Sequence, residues 1–135
     1  MNIKGFGKLE FVPVTEDTYP IPSHKFIINK LEKGFEIIDV TTGMVSFDDS
    51  SIENAIKDLA AMIINFTCKN IDLMGKEKFE KFYKEFSNDE NYIKLHEEYE
   101  KVKSYFDKTY GVKAFAKKNT FGKTKVNFSY MDAAW

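Results

Sequence analysis

The hydrophobic pattern of this chain changes its period close to residue 50, and this change constrains the fold more than any other feature. Before it, apolar residues alternate or run in short stretches broken by glycine, as in KFIINK and GFEIIDV. After Ser51 they recur every three or four residues. Alternation is typical of strands and the longer period is typical of helices. The chain therefore predicts a small β-meander followed by helices.

The predicted meander begins with an irregular or edge strand over residues 3–14, because this stretch holds two glycines and a proline. From Lys25 onward we predict two strands that turn at residues 32–34, where Gly34 permits a positive φ. A second turn at residues 41–43 leads to the short strand MVSF.

A central buried helix is predicted over residues 51–68. Ser50 and Glu53 have the spacing of a helix capping box. The apolar face of this helix consists of Ile52, Ala55, Ile56, Leu59, Ile63 and Phe66.

Two further helices, over 75–87 and 89–109, are predicted to form an antiparallel helical hairpin, with Ser87 and Glu90 again at capping-box spacing. Their apolar stripes are Phe79, Phe82, Tyr83 and Phe86 in the first, and Tyr92, Leu95, Tyr99, Val102 and Phe106 in the second. The segments VKAFAKK and KTKVNFSYM then predict a β-hairpin around residues 119–122.

Together these elements predict one α+β domain over residues 1–135, with a mostly antiparallel sheet on the central helix and a core rich in aromatic side chains. Cys68 is the only cysteine, which excludes an internal disulfide and a thiolate zinc site. No apolar run approaches the length of a membrane span, and no export signal is present. We therefore expect a cytoplasmic protein that does not enter a membrane.

All 20 basic residues are lysine, so mechanisms that need the planar guanidinium of arginine are excluded. The abundance of Lys, Asn, Ile, Phe and Tyr is typical of an AT-rich genome. In size and composition the chain resembles accessory proteins of bacteriophages from such hosts.

No catalytic, metal or cofactor signature is predicted. His96 and Glu100 stand four apart on a helix, a spacing that a helix rich in charged residues produces by chance. His24 follows two prolines and is interpreted as a loop residue in preference to a catalytic base. Cys68 ends an apolar helix, where thiols are generally buried and inert.

The favoured prediction is a non-enzymatic binding protein of the inhibitor or adaptor kind, whose partner is another protein. Aromatic residues make up 16% of the chain, and aromatics that the core does not use are the residues that anchor interfaces. The candidate anchors are Tyr105, Tyr110 and Trp135.

The alternative prediction is a protein that binds single-stranded nucleic acid through the C-terminal hairpin. Residues 111–135 hold five lysines and one acid, whereas the rest of the chain is acidic. Lysines beside aromatics favour phosphate contacts with base stacking. The candidate residues are Lys113, Phe115, Lys117, Lys118, Phe121, Lys123 and Lys125. Lysines that protect an exposed edge strand are the structural interpretation of the same pattern.

A local resemblance gives a second alternative. The stretch from Phe26 to Ile64, with GFEIIDV and DDSSIENAIKDLAAMI, resembles small antitoxin domains of the HicB type, which run strand, turn, strand and amphipathic helix. The resemblance covers less than a third of the chain, lacks the proline-rich turn and leaves the helical hairpin without a counterpart. It implies a small antitoxin-like regulator.

Overall fold

The computed structural model describes residues 3–13, 21–109, 115–121 and 124–132, and the side chains of residues 5–13, 21–106 and 124–131 among them. In chain order the elements are β1 (Ile3–Pro13), β2 (His24–Lys30), β3 (Phe35–Asp39), β4 (Val45–Asp48), α1 (Ile52–Met74), α2 (Lys76–Glu85), a 3-10 turn (Phe86–Asn88), α3 (Glu90–Thr109), β5 (Phe115–Phe121) and β6 (Thr124–Asp132). The predicted α+β class is confirmed.

The described strands form one antiparallel sheet in the order β4-β3-β2-β1-β6-β5. β1 therefore lies between β2 and β6, and the prediction of an edge strand was wrong. Its glycines are used for packing, since a β-carbon on Gly7 would overlap the ring of Phe26 on β2. The irregularity that the prediction included is present as a shift of register between Ile3 and Gly5.

Side chains alternate across the sheet and build two hydrophobic clusters. The side that we call the α1 side is covered by α1, whose Ile56, Leu59 and Ile63 are completely buried against strand residues such as Ile28 and Ile37. This cluster is mostly aliphatic, so the prediction of an aromatic core does not hold there. Leucine, isoleucine and alanine make up most of the buried residues on this side.

The opposite side, which we call the α3 side, is covered by α3, whose main contacts are with β1 and β2. Aromatic rings dominate this cluster: Phe6 meets Tyr99 and Phe106 edge-on, with ring centroids 5.5 and 5.6 Å apart. Tyr92, Leu95 and Val102 pack around it, so the stripe predicted from the sequence of α3 is confirmed.

Helix α1 begins and ends differently from the prediction. Its N-cap is Ser51, whose hydroxyl accepts a hydrogen bond from the Asn54 amide at 3.1 Å, so the cap lies one residue after the predicted Ser50. The Ser51 amide donates to Asp48 Oδ1, which replaces the reciprocal bond that a capping box with Glu53 would make. The helix continues past residue 68 to Met74 and ends where Gly75 adopts a φ of 85°.

The second and third helices follow one another as predicted, but they pack on different parts of the molecule. α2 packs on α1, where the rings of Phe79 and Phe66 are 6.0 Å apart, whereas α3 packs on the sheet. The predicted cap at Ser87 was wrong, because its hydroxyl donates to the Lys84 carbonyl. The Asp89 carboxylate accepts from the amide of residue 91 instead.

The exposure of Cys68 and the character of the helices bear on two further predictions. Cys68 is exposed, contrary to the expectation of a buried thiol, because α1 runs beyond it and buries Thr67 and Ile71 on its other side. Within the described part of the chain, the helices are all too short or too polar to span a lipid bilayer.

Candidate functional site

A completely buried histidine and aspartate lie where β2 begins and β3 ends. His24 Nδ1 is 2.9 Å from Asp39 Oδ1 and 3.0 Å from Asp39 Oδ2. The Thr42 amide donates to Asp39 Oδ2 at 2.9 Å, and the Thr42 hydroxyl donates to the same oxygen. The carboxylate is thus hydrogen-bonded on both oxygens, as a buried charge requires.

The chain of hydrogen bonds continues from His24 to α2. Because a carboxylate faces Nδ1, we assign the ring proton to Nδ1, and Nε2 then accepts from the Tyr83 hydroxyl. Burial, with the nearby negative charge of Asp39 in addition, raises the pKa of Tyr83 above its ordinary value. The phenol therefore stays protonated and keeps its donor role.

This polar chain of Asp39, His24 and Tyr83 uses both imidazole nitrogens and leaves no part of His24 exposed to solvent. A general base must reach a proton of its substrate. Here Nε2, the nitrogen that does not face Asp39, is occupied by the Tyr83 hydroxyl. The polar chain instead connects α2 to the start of β2 and the end of β3.

Sequence reasoning missed the polar chain. His24 was predicted in a loop, yet it is the first residue of β2, because the strand begins directly after the proline segment. Its partners are 15 and 59 residues away along the chain, so no local motif marks them. The only sequence signal was a histidine and an aspartate at the ends of two strands expected to pair.

Tyr83 also forms one wall of a pocket of about 370 Å³ between α1, α2 and the segment before β2. The other walls are apolar and come from Ile21, Ile71 and Phe79. Lys76, Glu80 and Lys84 border it and follow each other every four residues on α2. The volume lies in the range of small-molecule sites.

A different feature is the open edge of the sheet at β4. The Asp39 amide donates to the Met44 carbonyl at 2.8 Å, which sets the alternation of backbone groups along this strand. Ser46 and Asp48 then direct their N–H and C=O groups toward β3. Those of Val45 and Phe47 point away from it, to the side where no described strand lies.

The side chains of Val45 and Phe47 are also exposed, by 43% and 52%. They lie in register with Ile38 and Glu36, so they share the α3 side of the sheet. Helix α3 packs on β1 and β2 and does not extend its main contacts to β4. An apolar strip whose outward backbone groups pair with no described strand therefore lies at this edge, and we call Val45 and Phe47 the β4 edge.

Acidic groups flank the β4 edge. Hydrogen bonds from the backbone amides of Ser50 and Ser51 lower the pKa of Asp48, so this carboxylate is charged at any physiological pH. Asp49 is exposed beside it, and Glu36 is in register with Phe47. Three carboxylates therefore lie beside the apolar strip, while the Lys30 ammonium lies near its Phe47 end, 3.2 Å from the Gly34 carbonyl.

Of the three predicted protein-binding anchors, one lies among the described residues. Tyr105 lies on α3 and is 51% exposed, with its ring edge-on to Phe106 at 6.0 Å. Tyr110 and Trp135 lie outside the described residues.

The backbone confirms the predicted C-terminal hairpin, but residues 119–121, which were predicted in its turn, belong to β5. Phe121 of β5 pairs with Thr124 of β6, and β5 is the second edge of the described sheet. Lys125 on β6 is exposed. Phe115, Lys117, Lys118 and Phe121 lie on β5, where only the backbone is described, and Lys113 and Lys123 lie outside the described residues.

His96 and Glu100 form the helical pair that their spacing predicts, with Nε2 and Oε1 3.9 Å apart. Tyr92 stacks on the His96 ring at 5.7 Å. Within the described residues, no three or more His, Cys, Asp or Glu side chains cluster in a way that could hold a metal ion.

Comparisons of the chain with protein-family models, with curated proteins and with solved structures found no match.

Proposed function

We propose that this chain is a non-enzymatic binding module whose partner is another protein, and that the partner adds an extended segment to the β4 edge. The observation that carries the proposal is the coincidence, at Val45 and Phe47, of exposed apolar side chains with backbone groups directed outward. Strand addition uses both features, because backbone hydrogen bonds give affinity and alternate side chains give specificity.

The charge around the β4 edge defines the partner further. Asp48, Asp49 and Glu36 would repel an acidic strand and attract a basic one. A second copy of this chain would bring the same acids to the interface. The partner segment that fits best alternates apolar residues with Lys or Arg.

The polar chain supports the non-enzymatic part of the proposal. His24 and Asp39 are the most base-like groups inside the described core, and both are fully hydrogen-bonded and buried. Their arrangement is explained by holding α2 against the sheet.

The proposal is tested by affinity capture from a lysate of cognate cells. The double variant Val45→Lys with Phe47→Lys should no longer capture the stoichiometric protein partner that the wild-type chain captures. The matched control is Leu73→Lys, a change at an apolar residue of α1 that is 74% exposed. Equal loss in the control, or retention in the double variant, would contradict a partner at the β4 edge, and light scattering of the isolated chain would reveal self-pairing instead.

A second candidate function is single-stranded nucleic-acid binding by the β5–β6 hairpin. It is favoured by the position of β5 at a sheet edge and by the exposed Lys125 next to it. Labelled single-stranded DNA and RNA should then bind more weakly as salt rises, and Lys113→Glu with Lys117→Glu should eliminate binding. Salt-insensitive binding would exclude this function. The antitoxin-like regulator remains a prediction from local resemblance.

A further inference from the structure

We infer that the pocket between α1 and α2 binds a small monoanionic ligand with an apolar body, such as a medium-chain or aromatic carboxylate. The inference does not depend on the β4 edge, which is built by other elements. It rests on three properties of the pocket: its apolar walls, its charged border and its contact with the polar chain.

The walls exclude a polar ligand. Ile71 and Phe79 are 6% and 4% exposed, and with Ile21 they present hydrocarbon to a space of about 370 Å³. The hydroxyl of Tyr83, the polar group of this wall, is already engaged by His24 Nε2. A ligand body inside the pocket finds no free hydrogen-bonding group on these walls and must itself be apolar.

The border selects the charge of the ligand. Lys76, Glu80 and Lys84 are exposed, and none of them forms an ion pair with another residue of the described ranges. Successive members are four residues apart, about 6 Å along the helix axis. Two ammonium groups and one carboxylate leave a positive excess at the mouth, so an anionic end group is favoured.

Tyr83 connects the pocket with the interior. Its ring is both a wall of the pocket and the end of the polar chain to His24 and Asp39. A ligand that packs on this ring changes the environment of Tyr83 and of the imidazole behind it. Resonances of His24 should therefore respond to ligand even though His24 is buried away from the pocket.

The test is a titration of the full chain with decanoate, followed by NMR and calorimetry, with 1-decanol as the uncharged probe. Decanoate should shift resonances of Ile71, Phe79, Tyr83 and His24. Lys76→Gln with Lys84→Gln should weaken decanoate binding about tenfold and leave decanol binding unchanged. Glu80→Gln should strengthen decanoate binding, a gain that misfolding cannot produce.

The matched control is Lys78→Gln with Lys81→Gln, which removes two exposed lysines of the same helix that do not border the pocket. It should bind decanoate like the wild type. Equal weakening in both double variants, shifts centred on other residues, or no binding at about 1 mM decanoate would overturn the inference.

Discussion

The two sides of the sheet are covered to different extents. On the α1 side, α1 packs along β3 and β4 and buries aliphatic side chains completely. On the α3 side, α3 covers β1 and β2 with aromatic rings, and the sheet continues beyond it to exposed apolar residues on β4. The comparison shows that α1 covers its side of the sheet as far as β4, whereas the α3 side leaves apolar side chains of β4 exposed.

The largest expected effect on stability comes from a substitution on the α1 side. Leu59→Asp places a carboxylate at a completely buried position of α1, so cooperative unfolding should be abolished. Thermal and urea denaturation measure this. A loss below about 1 kcal/mol would show that the helix face is not buried.

The next effect concerns the polar chain, which contains a carboxylate buried on the α1 side. His24→Ala leaves the Asp39 carboxylate buried without its imidazole partner and should lower the free energy of unfolding by about 3 kcal/mol. The double variant with Asp39→Ala removes the orphaned charge. It should recover part of the loss, and simple additivity of the two single changes would contradict the coupling.

A pH dependence follows from Tyr83. Since the folded pKa lies above the ordinary value of 10.0, the folded chain keeps this proton where the unfolded chain loses it. The contribution of Tyr83 to the free energy of unfolding is therefore fully present below pH 10 and decreases as the pH rises beyond it. Tyr83→Phe should cost about 1 kcal/mol at neutral pH and flatten the alkaline decline, which Tyr105→Phe should leave unchanged.

The smallest effect on stability belongs to the α3 side. Val45→Lys and Phe47→Lys change exposed side chains, so each should alter the free energy of unfolding by no more than about 0.5 kcal/mol. Urea denaturation checks this. A loss of several kcal/mol would mean that the strip is part of the core and not an available surface.

The sequence predicted the parts of this fold that depend on local periodicity. The change of period near residue 50, the buried face of α1 and the stripe of α3 all result from the spacing of apolar residues, and all are confirmed. The central position of β1 was missed because glycine and proline indicate weak strands. Because Gly7 has no side chain, the ring of Phe26 on the neighbouring strand β2 can pack directly against its backbone.

The candidate site was less predictable because its components are distant along the chain. No residue near His24 in the sequence indicates that Tyr83 is its partner. The exposure of β4 depends on how far α3 extends across the sheet. The aromatic anchors proposed from composition included Tyr105 but neither Val45 nor Phe47. A surface of this kind is defined by which strand lies last in the sheet, and strand order is not encoded in local pattern.

Amide hydrogen exchange along β4 tests the central claim most directly. In the free chain, the amides of Val45 and Phe47 should exchange quickly and those of Ser46 and Asp48 slowly, because only the second pair is bonded to β3. Addition of the captured partner should slow Val45 and Phe47 and leave the exposed helical region around Leu73 unchanged. Fast exchange at Val45 and Phe47 in the saturated complex would contradict strand addition at the β4 edge.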